Sequence, residues 1–224
     1  MTGMIRLTTL LAVILAGFGF ILYQVMKFAF AINNPASLAK RDGEKLKAII
    51  GPHLEKLVPL SNNEMELFSL SKETRRIRKG GHTITSGVFK SIYHEPLCAF
   101  AYKEYKRKNV ASLLSRTVDQ EYFYISINGE TRVFVDGKAY GIITGDGELF
   151  SPNKKHLMAS ISPEDVLKLH PVYIGKREVG SVLNPKQTEF PNPRAFQLMD
   201  EMNDEDKTKF LALSILSLVE ESIF

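Results

Sequence analysis

The sequence predicts an α+β protein: a single N-terminal transmembrane helix, a β-rich domain of barrel or sandwich type, and a C-terminal helical hairpin. Three observations carry this expectation. Leu7 to Ile32 is an apolar run in which Lys27 is the only charge. Between Asn63 and Leu183, short β-type runs alternate with turn residues. From Asn192 onward, helix-start signals open two further helices. The divisions that follow are an anchor over 1–33, a linker or stalk helix over 34–60, the β-rich domain over 61–185 and a helical pair over 186–224.

The anchor rests on length and charge. As a helix, the twenty uncharged residues Leu7 to Met26 reach ~30 Å, the hydrocarbon thickness of a bilayer. Lys27 can extend its ammonium to the headgroups while its methylenes stay apolar. Arg6 alone precedes the run, whereas Lys27, Lys40, Arg41, Lys45 and Lys47 follow it. That bias places the C-terminal domain in the cytoplasm, as a single-pass membrane protein. A cleaved secretory signal is the alternative, with Ala29-Phe30-Ala31 as its cleavage site.

Asn33-Asn34-Pro35 ends the anchor, and Asp42 to Leu57 reads as a short helix that Gly51-Pro52 kinks or divides. Strands are expected at Glu64–Leu70, Thr83–Ile92, Leu97–Lys106, Gln120–Asn128, Thr131–Asp136 and Gly137–Thr144. The clearest pair flanks Asn128-Gly129, whose positive φ suits a tight hairpin. There Phe123, Ile125 and Ile127 form one apolar face, which Val133 and Val135 join. Ser86-Gly87 suggests a bulge or sharp bend. Ser162-Pro163-Glu164-Asp165 starts a helix, and Tyr173-Ile174 with Glu178–Leu183 read as closing strands. Asn192-Pro193 caps a helix to about Met202, and Asp204, Glu205 and Asp206 open another whose apolar residues cover most of its circumference.

Composition narrows the function. Hydrophobic residues make up 44% and charged residues 24% of the chain, so a folded domain is expected. Cys98 is the one cysteine, which excludes an internal disulfide framework and a multi-cysteine zinc site. The net charge of +4 is uneven: +9 up to Val110 and −5 beyond it. No nucleophile elbow, zinc-protease motif, phosphate loop or dinucleotide fingerprint occurs. The five histidines are scattered, and Asp200, Asp204 and Asp206 lack the glycine and terminal Glu of a calcium loop. His94-Glu95 near Cys98 evokes a thiol–imidazole pair without a third member. No catalytic residue, cofactor or metal is therefore expected.

Two basic clusters are the candidate anionic-surface contacts: Arg75, Arg76, Arg78 and Lys79, then Lys103, Lys106, Arg107 and Lys108 beside Tyr102 and Tyr105. Cations interleaved with aromatics suit anionic lipid headgroups, and less strongly nucleic acid; charged strand ends facing water are the plain alternative. Phe210, Leu213 and Leu216 are the candidate partner-binding helix face, with packing against the chain's own domain as the plain alternative.

The run Arg78-Lys79-Gly80-Gly81-His82-Thr83-Ile84-Thr85-Ser86-Gly87-Val88-Phe89, followed by Glu95-Pro96-Leu97-Cys98-Ala99-Phe100-Ala101-Tyr102-Lys103-Glu104-Tyr105, resembles the GIDE-type (BAM-like) membrane-associated domain. Gly129-Glu130-Thr131-Arg132-Val133-Phe134-Val135-Asp136 is similar to a later strand pair of that family, and coverage runs over about 75–180. The family occurs in membrane-anchored mitochondrial ubiquitin ligases and in bacterial membrane proteins. With one cysteine this chain cannot build the ligases' ring domain. The resemblance implies a membrane-bound β domain for binding or regulation. The expected function is a membrane-anchored, non-catalytic interaction or regulatory domain with an unidentified protein partner. The alternatives are an exported hydrolase or binding protein, and a membrane-tethered nucleic-acid binder.

Overall fold

A computed structural model describes residues 35–79, 81–105, 109–162, 168–187 and 193–223. The chain divides into two units, 1–41 and 42–224. The second holds an antiparallel meander of twelve strands, each paired with the next in sequence. In order these are β1 (Phe68–Lys79), β2 (His82–Ser91), β3 (Pro96–Tyr105), β4 (Val110–Arg116), β5 (Glu121–Ile127) and β6 (Glu130–Val135). Then come β7 (Lys138–Ile143), β8 (Glu148–Phe150), β9 (Leu157–Ile161), β10 (Leu169–Ile174), β11 (Arg177–Leu183) and β12 (Phe196–Leu198). The sheet curls until its ends nearly meet. Ser69 bridges Arg194, the Leu70 amide donates to Pro193 O at 3.1 Å and the Ala195 amide to Phe68 O at 2.7 Å.

Among the described residues three α-helices accompany the barrel: α1 (Pro35–Leu54), α2 (Asn62–Leu67) and α3 (Asp204–Ile223). In α2, the Ser61 hydroxyl and the Glu64 carboxylate cap each other's backbone in a reciprocal box. In α3, the Asn203 side chain accepts from the Asp206 amide at 2.8 Å, and three acids occupy the first turn. From Phe210 to Val219 every described side chain of α3 is buried except the half-buried Ser217. A helix apolar on all sides must be enclosed, and α3 belongs to the same buried cluster as Phe68, Phe89, Phe100, Tyr122, Tyr124 and Phe196. The Tyr124 hydroxyl donates to Ala212 O at 3.0 Å. The helix thus fills the barrel as a plug of core.

This architecture corrects the expected fold class. The C-terminal helical hairpin does not form: where its first helix was expected, the chain runs through Arg194 into β12. Phe196 points into the core and stacks edge-on to Phe210 at 5.2 Å, so the segment serves the sheet. Among the described residues no helix is long and apolar enough to cross a membrane, so the transmembrane and signal-anchor expectation has no counterpart there. The stretch 7–32 that prompted it lies outside the described residues, as do the 163–167 part of the expected Ser162 helix and the Lys106, Arg107 and Lys108 cluster.

Local readings changed for identifiable reasons. Glu64–Leu67 is helical because of the Ser61 cap, and extended structure begins only at Phe68. Val133 and Val135 pair with Tyr124 and Tyr122, on the opposite face from Phe123 and Ile125. Both faces of β5 are buried because α1 covers the outer one: Phe123 lies 3.9 Å from the Cβ position of Gly43. Gly87 sits at no register shift. Its role is clearance, since a side chain would meet the Glu73 carbonyl oxygen and, at 3.0 Å, the Phe100 ring.

Candidate functional site

The predicted contact residues separate into different environments. Arg75, Arg76 and Arg78 are exposed on β1, and Lys79 ends that strand. Beyond Leu70, β1 pairs with β2 alone among the described residues, from Lys72↔Phe89 to Lys79↔His82. Among the described residues no strand pairs with its other side. Alternation puts Arg76 and Arg78 on one face of the strand and Arg75 with Ile77 on the other. None of these three arginines forms an ion pair among the described residues.

Lys103 is elsewhere. It is 3% exposed and its Nζ lies 2.6 Å from Oδ1 of the fully buried Asp42. Tyr105 donates to the two Asp42 oxygens at 3.0 and 3.1 Å, and Ser112 donates to Oδ2 at 3.4 Å. Lys103 therefore pins α1 to β3 and β4, which corrects its expected role as a surface contact. Phe210, Leu213 and Leu216, the expected partner-binding face, are each buried in the barrel core.

Cys98 offers no nucleophile. It is fully buried, contacts the Ser115 hydroxyl at 2.9 Å, and burial pushes its pKa up to about 12. The aspartates after β12 are answered by Arg177, 2.7 Å from Asp206 and 3.9 Å from Asp200.

A recess absent from the sequence reading lies at one mouth of the barrel. Its volume is about 510 Å3, and its lining includes Tyr102 and Glu104 of β3 with Leu213, Leu216, Glu220 and Glu221 of α3. The Glu104 Oε2 and Glu221 Oε2 atoms are buried without a hydrogen-bond partner. Glu221 Oε1 accepts from Ser217 at 3.1 Å and lies 3.5 Å from His170 Nδ1. Burial, and then the charge of Glu221, push the Glu220 carboxyl up to about 7. Burial, then Glu220 and Glu104, push the Tyr102 hydroxyl well above its ordinary value. One sequence signal was available: Glu104 shares the inward face of β3 with Tyr102, and Glu220-Glu221 ends an apolar run.

Glu220 predicts a pH dependence. Burial holds its carboxyl at about 7, above the ordinary 4.5, so the folded state holds the extra proton between those values. Its stabilising contribution is complete below about pH 4.5 and is lost as pH rises through about 7. The difference is on the order of 3 kcal/mol. Thermal melts of Glu220→Gln should show a smaller decline in Tm between pH 5 and 8 than the parent; parallel curves would contradict this.

The described residues form an antiparallel barrel filled by its own helix, with a basic strand edge and an acidic mouth. No protein-family model, curated protein or solved structure matches this chain. The GIDE-type resemblance gains no support from these comparisons.

Proposed function

We propose that this chain is a non-catalytic interaction domain whose open β1 edge takes up an acidic, extended segment of a partner protein. The observation carrying this reading is the row Arg75, Arg76 and Arg78, exposed on an edge with no second strand beside it among the described residues. An added strand would use the unpaired N–H and C=O groups of the edge and place acids against arginines on both faces. A flat lipid surface or a duplex backbone reaches one face only and makes no use of the strand hydrogen bonds. With α3 occupying the barrel, ligand recognition falls to the rim and edges.

The test uses the whole chain with a hexaglutamate peptide, its N-methylated analogue, phosphatidylserine vesicles and duplex DNA. Hexaglutamate should bind, methylation should weaken it at least tenfold, and Arg75→Glu/Arg76→Glu/Arg78→Glu should abolish it. Equal binding of the methylated peptide, or preference for vesicles or DNA, would replace the proposal with simple charge attraction. Failure of every probe would leave the arginines as protection of an open edge against self-pairing.

A further inference from the structure

We propose that the acidic mouth of the barrel is a binding site for a primary alkylammonium ion, a site separate from the β1 edge. Three carboxyl groups line it: Glu104 from the sheet, and Glu220 and Glu221 from the last turns of α3. No lysine, arginine or histidine lines it among the described residues. Two oxygens, Glu104 Oε2 and Glu221 Oε2, are cut off from solvent and accept nothing. Tyr102 adds a second kind of evidence. It is only 5% exposed, lines the recess, and its hydroxyl makes no hydrogen bond among the described residues.

Buried acceptors are ordinarily paired, and leaving one unpaired costs about 1–3 kcal/mol, more when it is charged. An ammonium supplies three donors and a positive charge, which is what the two orphaned carboxylate oxygens lack, and the Tyr102 hydroxyl in the same lining can accept from it as well. The other walls decide between an organic and an inorganic cation. Ile143, Ile161, Leu213 and Leu216 line the same recess, and a hydrated metal ion gains nothing from them. Among the described residues no group of three or more His, Cys, Asp or Glu side chains has the arrangement to hold a metal ion. An alkyl chain ending in an ammonium satisfies both surfaces. The volume of about 510 Å3 lies within the ~300–1,000 Å3 typical of small-molecule sites. Such a group is carried both by free aliphatic amines and by lysine side chains.

The groups facing these acids come from three elements: Tyr102 and Glu104 on β3, His170 on β10, and Ser217, Glu220 and Glu221 on α3. Binding of a cation here should be stronger at pH 8 than at pH 6, because burial pushes the Glu220 carboxyl up to about 7 and its protonation opposes binding.

Calorimetric titration of the full chain with n-pentylamine, 1-pentanol, calcium chloride, spermidine and Nα-acetyl-lysine methylamide tests the proposal. Saturable pentylamine binding is expected, with 1-pentanol at least tenfold weaker and calcium unable to compete. The double variant Glu104→Gln/Glu220→Gln should bind pentylamine at least tenfold more weakly. It removes uncompensated charge and keeps the shape, so a matching circular dichroism spectrum is expected. Tighter binding of spermidine would indicate a free amine as the occupant, and tighter binding of the lysine amide a protein side chain; either supports the site. No saturable binding, equal binding of 1-pentanol, displacement by calcium, or an unaffected double variant would overturn it. If the double variant unfolds, chemical-shift changes in the parent decide: changes centred on Tyr102 and Glu104 support the site, and changes elsewhere refute it.

Discussion

Removing Asp204–Phe224 is expected to abolish the fold, leaving a chain with no cooperative melt and collapsed amide dispersion. Phe210, Leu211, Leu213, Ile215, Leu216, Leu218 and Val219 are all buried inside the barrel. Burial of a large aliphatic or aromatic side chain contributes about 1.5–3 kcal/mol, so together these residues match or exceed the ~5–15 kcal/mol that holds a whole domain together. The strands would also lose what they close around. Tyr124 would lose its acceptor at Ala212 O, and Tyr122, Phe196 and Val172 would face a void. The single change Phe210→Ala should cost about 3–5 kcal/mol, read as a lowered denaturation midpoint. A truncated chain that still melts cooperatively with a dispersed spectrum would show that the sheet has a core of its own and that α3 is an appendage.

The second large effect is at Asp42. Asp42→Ala is expected to destabilise the protein by about 3–5 kcal/mol, because it leaves the Lys103 ammonium buried without its counter-charge. The loss is specific to breaking the pair. Asp42→Leu combined with Lys103→Met should recover most of it, since an apolar replacement of similar volume avoids desolvating two ions. Urea denaturation of the two single variants and the double variant measures the coupling directly. Additive losses would mean that the ion pair contributes nothing net and that α1 is held by other contacts, the buried Leu46 and Ile50 and Gly43 against Phe123 among them.

Local patterns were legible where turn chemistry and alternation agreed. Asn128 and Gly129 do take positive φ, 52° and 85°, in the hairpin that joins Ile127 to Glu130. The sequence signal failed where tertiary contacts override it. Val110–Arg116 carries few β-branched residues, yet it forms β4 because β3 and β5 pair with both of its edges. Leu157–Ile161 and Phe196–Leu198 are too short for periodicity to register, and β-pairing alone makes them strands. The all-round apolar character of Phe210–Val219 was visible, but what encloses it depends on twelve strands assembled from distant positions. Lys103 read as a surface cation because its partner, Asp42, lies sixty-one positions away. The acidic mouth was hidden for the same reason: Glu104 and Glu220 meet only once the sheet has curled around the helix.

The position of α3 after all twelve strands has a consequence for biogenesis. A ribosome releases the strands before it releases the segment they must wrap. Until then the meander has apolar inner faces and nothing to cover them, so its interior can be buried only after the last strand has been made. Nascent chains stalled before residue 204 should accordingly be clients of holdase chaperones and sensitive to proteases. Emergence of α3 should convert them to a resistant form in one step.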